Sequence, residues 1–172
     1  MSQLLESFMY QVGQIFLPIT LVAIAILFVY ALYALGEFAM MRWQRRQSMG
    51  AKPGYALLQW AAQHPLAGND EREVVAHRLL ELPRITTRTA PMLGLVATMI
   101  PMGPALKALA GGQMADVSEN LAIAFSAVIL ALITAAITFW VVSVRRRWLA
   151  EELVWLAKQR DIKSVRAIKE AA

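Results

Sequence analysis

The chain contains no cysteine, which excludes a disulfide framework and any thiolate metal site. Charge is scarce as well: 17% of the residues are Asp, Glu, Lys or Arg, against about a quarter in a soluble domain. No glycine-rich phosphate loop follows a strand, and neither G-x-S-x-G nor H-E-x-x-H occurs. The two histidines, His64 and His77, stand in no metal-ligand spacing and are read as buried or solvated side chains. Enzymatic catalysis is therefore not expected, and neither a cofactor nor a metal. Residues 1–14 lack any positive charge, and Glu6 is the only charge before Glu37.

Hydrophobic residues make up 58% of the 172, and they fall in runs long enough to cross a bilayer, which takes about 20 residues as helix. The first run is Ile15 to Leu35, too long for a signal-peptide core and read as a retained helix. The second lies between Arg88 and Lys107. The third is Leu121 to Val144, stopped by Arg145, Arg146 and Arg147. No Asp, Glu, His, Lys or Arg lies inside any of the three.

Positive charge sets the orientation. Residues 42–88 carry eight Lys or Arg and the tail after Val144 carries eight more, whereas the 107–120 connection has only Lys107. That distribution is expected to place the N-terminus outside, and the long loop and tail in the cytoplasm. The net charge of +5 is mostly topology. Each cytoplasmic segment also holds four acids, so a nucleic-acid role is not expected.

The fold class that follows is an all-α membrane protein: three transmembrane helices with cytoplasmic helical extensions. Its expected parts are an interfacial helix at 1–14, spans at 15–41, 86–109 and 120–144, a cytoplasmic loop at 42–85, a periplasmic loop at 110–119 and a tail at 145–172. Within the loop, "AKPGY" predicts a turn, Tyr55–Ala62 a helix, and "HPLAGND" a break. Asn69 or Asp70 is expected to cap a further helix with Val74, Val75, Leu79 and Leu82 at helical spacing, and Pro83 to kink its join to the next span. Trp148, Leu149, Leu153, Leu156 and Ile162 make the tail an amphipathic helix.

Two features of the spans bear on function. Asn120, Ala124, Ala127, Ala131, Thr134, Ala135 and Thr138 fall within about 100° of one another on a helical wheel. Such a stripe is either a packing face that lets helices approach closely or the wall of a narrow pore. In the second span, Pro101 and Pro104 deprive the carbonyls of Ala97 and Ile100 of their usual donors, and Thr98 adds a hydroxyl at that level. Either the level faces a hydrated lumen, or it is a proline kink with Thr98 bonded to its own helix.

The stretch "RTAPMLGLVATMIPMGPAL" resembles the second transmembrane helix of the MotA/TolQ/ExbB proton-channel family, whose motif reads approximately T-A-P-x-x-G-L-x-G-T. Thr89, Ala90, Pro91, Gly94, Leu95 and Thr98 match it, Ala97 replaces a glycine, and Pro101, Gly103 and Pro104 extend the kinked segment. The resemblance covers roughly residues 75 to 155. It implies a ring, a pentamer of this subunit around single-span partners of the ExbD/TolR/MotB type that carry a membrane aspartate. Proton flow, with sodium as the alternative ion, would then power a periplasmic or outer-membrane process such as transport. Thr98 matches the family's pore threonine. In the third-span motif, approximately E-A-L-x-x-T, Ile123 stands for the glutamate and Val128 for the threonine, with Ser126 and Thr134 nearby. The expected ion path is therefore lined by Thr98, Ser126 and Thr134. Ala124, Ala127, Ala131 and Ala135 are the expected helix-packing residues, and Arg145, Arg146 and Arg147 the cytoplasmic stop. A structural or assembly subunit without conduction, and a passive pore, are the alternatives.

Overall fold

The computed structural model describes residues 2–47 and 55–171, and every regular element among them is helical. Helix α1 is Ser2–Gln47, α2 Ala56–Gln63, α3 Asn69–Leu79, α4 Glu81–Ala110 and α5 Met114–Ala171. Three of the helical stretches, within 11–45, 69–110 and 114–162, are long and apolar enough to cross a membrane. The chain divides into two compact units: residues 1–33 with 85–139, and residues 34–84 with 140–172.

The first unit holds most of the apolar length. Its α4 and α5 are joined by three residues, 111–113. Gly112 takes φ 74°, the left-handed conformation that glycine adopts without penalty, and Gln113 N–H closes the end of α4 on the Ala108 carbonyl at 2.9 Å. The connection is shorter than the 110–119 loop expected from sequence, because α5 has already begun at Met114. Asp116 sits in its first turn, where an acid offsets the helix dipole.

The hairpin brings two rows of small residues together. On α4 the buried row is Ala90, Gly94, Ala97, Pro101, Ala105 and Ala108; on α5 it is Ala124, Ala127, Ala131, Thr134 and Thr138. Thr87 Oγ1 donates to Thr138 Oγ1 at 3.1 Å, which fixes the antiparallel register towards the open end of the hairpin. Ala97, Ala127 and Ala131 form one core cluster with Ile24 of α1, flanked by Leu21 and Leu93. Thr20 of α1 is buried and donates to its own Phe16 carbonyl at 2.8 Å. Burying hydroxyls in an apolar layer is tolerable here because each finds an acceptor.

The second unit is built from the ends of the long helices and the two short ones. Gly68, not Asn69 or Asp70, occupies the N-cap of α3, without a side-chain capping bond. Asp70 and Glu71 instead lie in its first turn, and His77 and Arg78 in its last, so the charges suit the dipole at both ends. Pro83 causes no break inside a helix. The break is at Leu80, and Pro83 falls in the first turn of α4, where no intrahelical donor is required of it. Of the apolar residues expected along this stretch, Val75 and Leu79 pack on a core of Leu57, Ala76, Leu80 and Leu149, together with Leu153 and Leu156 of the tail. Val74 and Leu82 are exposed instead, since the face that packs runs through Arg72, Val75, Ala76 and Leu79. The "AKPGY" turn lies almost wholly outside the described residues.

Residues 1–14 are not set apart as an interfacial helix, since α1 runs without a break from Ser2 to Gln47.

One ion pair, its carboxylate buried and its arginine half-buried, crosses this second unit. Glu152 of α5 accepts from Arg45 of α1 and, through its other oxygen, from the Leu57 backbone N–H at 3.1 Å. Arg45 also lies over the rings of Tyr55 and Trp148, at 4.2 and 4.4 Å from their centroids. The pair lies beyond the arginine stop. Burial raises the Glu152 carboxyl above its ordinary range, while Arg45 and the amides of Leu57 and Leu58 pull it down. Phe38 stacks on Trp148 and meets Trp140 edge-on, adding aromatic packing beside this pair.

The close approach at Gly94 is open to test. A Cβ built on Gly94 would stand 2.8 Å from Ala131 Cβ, a stiff group that cannot swing aside. Gly94→Ala should therefore destabilise the hairpin by about 1–3 kcal/mol, the usual cost of overpacking. Adding Ala131→Gly should recover much of the loss. Unfolding in mixed detergent micelles checks both, and a Gly94→Ala protein as stable as the parent would disprove the close contact.

Candidate ion path

The three hydroxyls expected to line a path are not brought together. Thr134 is fully buried among the helices of its own chain, and its Oγ1 donates to the Leu130 carbonyl at 2.8 Å. It belongs to the packing row, between Ala131 and Thr138. Ala124, Ala127 and Ala131 are likewise buried within the chain, whereas Ala135 is half-buried at the margin of the row. The small-residue stripe of α5 thus packs on α4 and α1 of the same molecule.

Ser126 is exposed and donates to the Ala122 carbonyl at 2.8 Å. It lines a groove of about 390 Å³ with Leu21 and Ile24 of α1 and Ile123 and Leu130 of α5. Thr98 is partly exposed, donates to the Leu95 carbonyl at 2.7 Å and is not part of that groove.

Register explains the separation. Ala97 and Ala127 meet in the core, and Thr98 follows one while Ser126 precedes the other. Each residue step turns about 100° around a helix. In an antiparallel pair, a step forward on one helix and a step back on the other lead to opposite sides. Thr98 therefore shares its side of the α4–α5 pair with Val128, and Ser126 lies across the pair, towards α1. Val128 faces Gly94 of α4, where its Cγ2 would stand 3.4 Å from a Cβ added to that glycine.

The proline level has two faces. Ala97 and Pro101 are buried, and Ala97 packs in the apolar core, so on this side the level is dry. Thr98 stands on the other side, next to Leu95 and Met99, which are exposed. Helix α4 stays continuous from Glu81 to Ala110 with Pro91, Pro101 and Pro104 inside it. Thr89 Oγ1 donates to the Ile85 carbonyl at 3.1 Å. At the motif glycine, Gly94, α5 comes so close that an added Cβ would stand 2.8 Å from Ala131 Cβ. Two motif residues, Ala90 and Gly94, are thus accounted for by helix packing, and Thr98 is not.

The model of the MotA/TolQ/ExbB proton channel family matches residues 69–156, just over half of the chain. The chain belongs to that family. The matched segment takes in α3, α4 and the part of α5 that includes the arginine stop. It contains the whole of the second-span motif and the hairpin, and also the stretch of 75–155 that carries the resemblance. No curated protein and no solved structure matches the chain. As a MotA/TolQ/ExbB member with three helices of spanning length, the protein is a multi-pass membrane channel subunit.

Sequence reasoning missed several polar residues of the spans. Thr20, Thr86 and Thr87 belong to no motif, although hydroxyls inside or beside long apolar runs were a visible signal. The arginine stop also carries a detail that spacing did not show, the pairing of Arg145 with Glu37 at 3.4 Å; Arg147 pairs with Glu151, one turn on, at 3.2 Å.

These placements separate the hydroxyls experimentally. Thr98→Val retains shape and, because the hydroxyl bonds only to its own helix, should leave folding intact while abolishing proton conduction. Ser126→Ala should be nearly silent. A proton-flux assay in cells, with expression checked by blotting, decides; normal flux with Thr98→Val would return this level to helix packing alone.

Proposed function

We propose that this chain is the ring-forming subunit of a proton-driven, energy-transducing channel in the bacterial inner membrane. Copies of the chain, five by resemblance to the family, surround a single-span partner of the ExbD/TolR/MotB type, and proton passage powers a periplasmic or outer-membrane process such as transport. The N-terminus is periplasmic, and the loop before the second span and the tail are cytoplasmic, extending the spans as helices. No enzymatic step and no cofactor takes part.

One observation carries this reading: the apolar runs hold no ionisable side chain at all, yet the family conducts protons. Ionisable groups at membrane depth are the usual relays, and a threonine hydroxyl holds no charge at neutral pH. The carrier must come from another chain. A partner aspartate in an apolar sleeve would have its pKa raised by burial towards neutrality, and so could load and release protons beside Thr98. Because Thr134 and Ser126 lie elsewhere, Thr98 is the hydroxyl assigned to the path. Val128, at the family's third-span threonine position, contributes shape on the same side.

The small-residue rows are consumed within the chain, so the ring must be held by other surfaces. The outward residues of α1 and α4 are large and apolar, among them Ile15, Val22, Ile26, Met92 and Met99. Such surfaces suit lipid and neighbouring subunits alike.

Two outcomes check the proposal. Reconstituted alone in liposomes, the protein should carry little proton current; adding the partner should restore flux, and an Asp→Asn change in the partner's span should remove it. A robust proton-selective current from the lone subunit would favour a passive pore, and a ring with its partner that never conducts would favour a purely structural subunit.

Topology is tested separately, in a background free of native cysteine. Single cysteines at Ser2 and Gln113 should react with an impermeant thiol reagent applied to spheroplasts, and one at Ser164 should not. Labelling at Ser164 would reverse the orientation.

A further inference from the structure

The second unit contains a cavity of about 450 Å³ between α2, the start of α3 and the distal part of α5. Its walls are mostly apolar, with Leu58, Pro65, Trp155 and Leu156 prominent. Two cations line it, Arg72 and Arg160, and no carboxylate does.

Arg72 is the unusual one. It is only 8% exposed, and its Nε is buried with no hydrogen-bond partner. Its sequence neighbours Asp70, Glu71 and Glu73 are exposed, and among the described residues none forms an ion pair with it. A guanidinium cannot escape burial by losing its proton. Held in an apolar wall without a counter-ion, it is a cost to the fold that an acceptor would remove. The contrast with Arg45 is plain: that half-buried arginine has Glu152 and two aromatic rings.

We propose that this cavity binds a small organic anion, a carboxylate carried on an apolar body. The carboxylate sits on Arg72, with Arg160 at the rim adding attraction, and the apolar body lies against Trp155 and Leu58. The volume suits a small molecule, since ligand pockets commonly measure about 300–1,000 Å³. Planar guanidinium donors match a carboxylate's two oxygens. A bilayer lipid is a poor occupant. Trp155 and Arg160 lie ten and fifteen residues beyond Arg145 on one unbroken helix, or about 15 and 22 Å along its axis. The headgroup layer is only about 5–8 Å deep on each side.

The test uses the full chain in neutral detergent and three probes followed by ligand-observed NMR, with empty micelles as the blank. The probes are 4-fluorophenylacetate, its uncharged amide, and inorganic phosphate as an anion without an apolar body. The carboxylate should bind saturably, and the amide and phosphate at least about tenfold more weakly, as expected when a charge-assisted bond and apolar burial act together. Arg72→Gln should weaken the carboxylate by a similar factor. Because that change also alters the buried wall, Ala62→Trp provides an independent variant: it keeps Arg72, fills the cavity from its rim, and should abolish binding. Equal binding of the amide, equal binding of phosphate, unchanged binding in Arg72→Gln or Ala62→Trp, or no saturable binding of the carboxylate would each overturn the proposal.

Discussion

Helices in lipid gain nothing from hiding apolar side chains from one another, because the solvent is as apolar as they are. What holds them together is close contact, and close contact requires small residues. The first unit depends on that constraint. Gly94 brings α4 against Ala131 so tightly that not even a methyl group fits between them. The rows Ala90–Gly94–Ala97 and Ala124–Ala127–Ala131 extend the same contact along both helices. Hydroxyls join the rows without penalty, because threonine is compact and can bond its own helix. Thr134 and Thr138 do so, and Thr138 accepts from Thr87 as well.

The same constraint reinterprets the backbone breakers of the second span. In water-soluble helices, proline and glycine are costs. Here Pro101 is buried on the face that meets the neighbouring helices, and Gly94 makes the approach possible. Part of the family motif, Ala90 and Gly94, is therefore a packing code. Of the two motif hydroxyls outside that packing, Thr89 and Thr98, it is Thr98 that stands on the far side from α1 at the proline level, partly exposed and bonded only to its own helix. A residue that packing does not explain is the better candidate for function.

Composition and periodicity were enough to read the all-α class, the three spanning stretches and the alanine row, because each is a property of local sequence. The family was legible from a handful of residues between Thr89 and Thr98. Which side of the row faces what was not legible, because that depends on the register between two helices. Thr98 and Ser126 look alike in sequence, yet one step forward and one step back carry them to opposite sides of an antiparallel pair. The two arginines of the second unit were equally hidden. Arg45 and Arg72 both read as positive-inside charges, and only the fold distinguishes one with a full set of partners from one without. Helix ends also misled: Gly68 rather than Asn69 caps α3, and the acids that mark its start act on the dipole instead.

The helices α1 and α5 carry two kinds of chemistry along their length. Through the apolar runs they hold no charge, and every buried hydroxyl among those described there is satisfied by protein. Beyond the arginine stop the same helices bury Glu152 with Arg45. A subunit organised in this way has kept its ionisable groups out of the layer where an ion must pass. In the proposed channel, any titratable group in that layer then belongs to the partner chain, and its protonation can be set by that chain's position against a wall that never titrates. A wall of fixed, neutral hydroxyl and apolar groups offers the same environment at every pH. In the proposed channel, the coupling of proton occupancy to movement can therefore reside entirely in the partner, while this chain supplies the surface against which it moves.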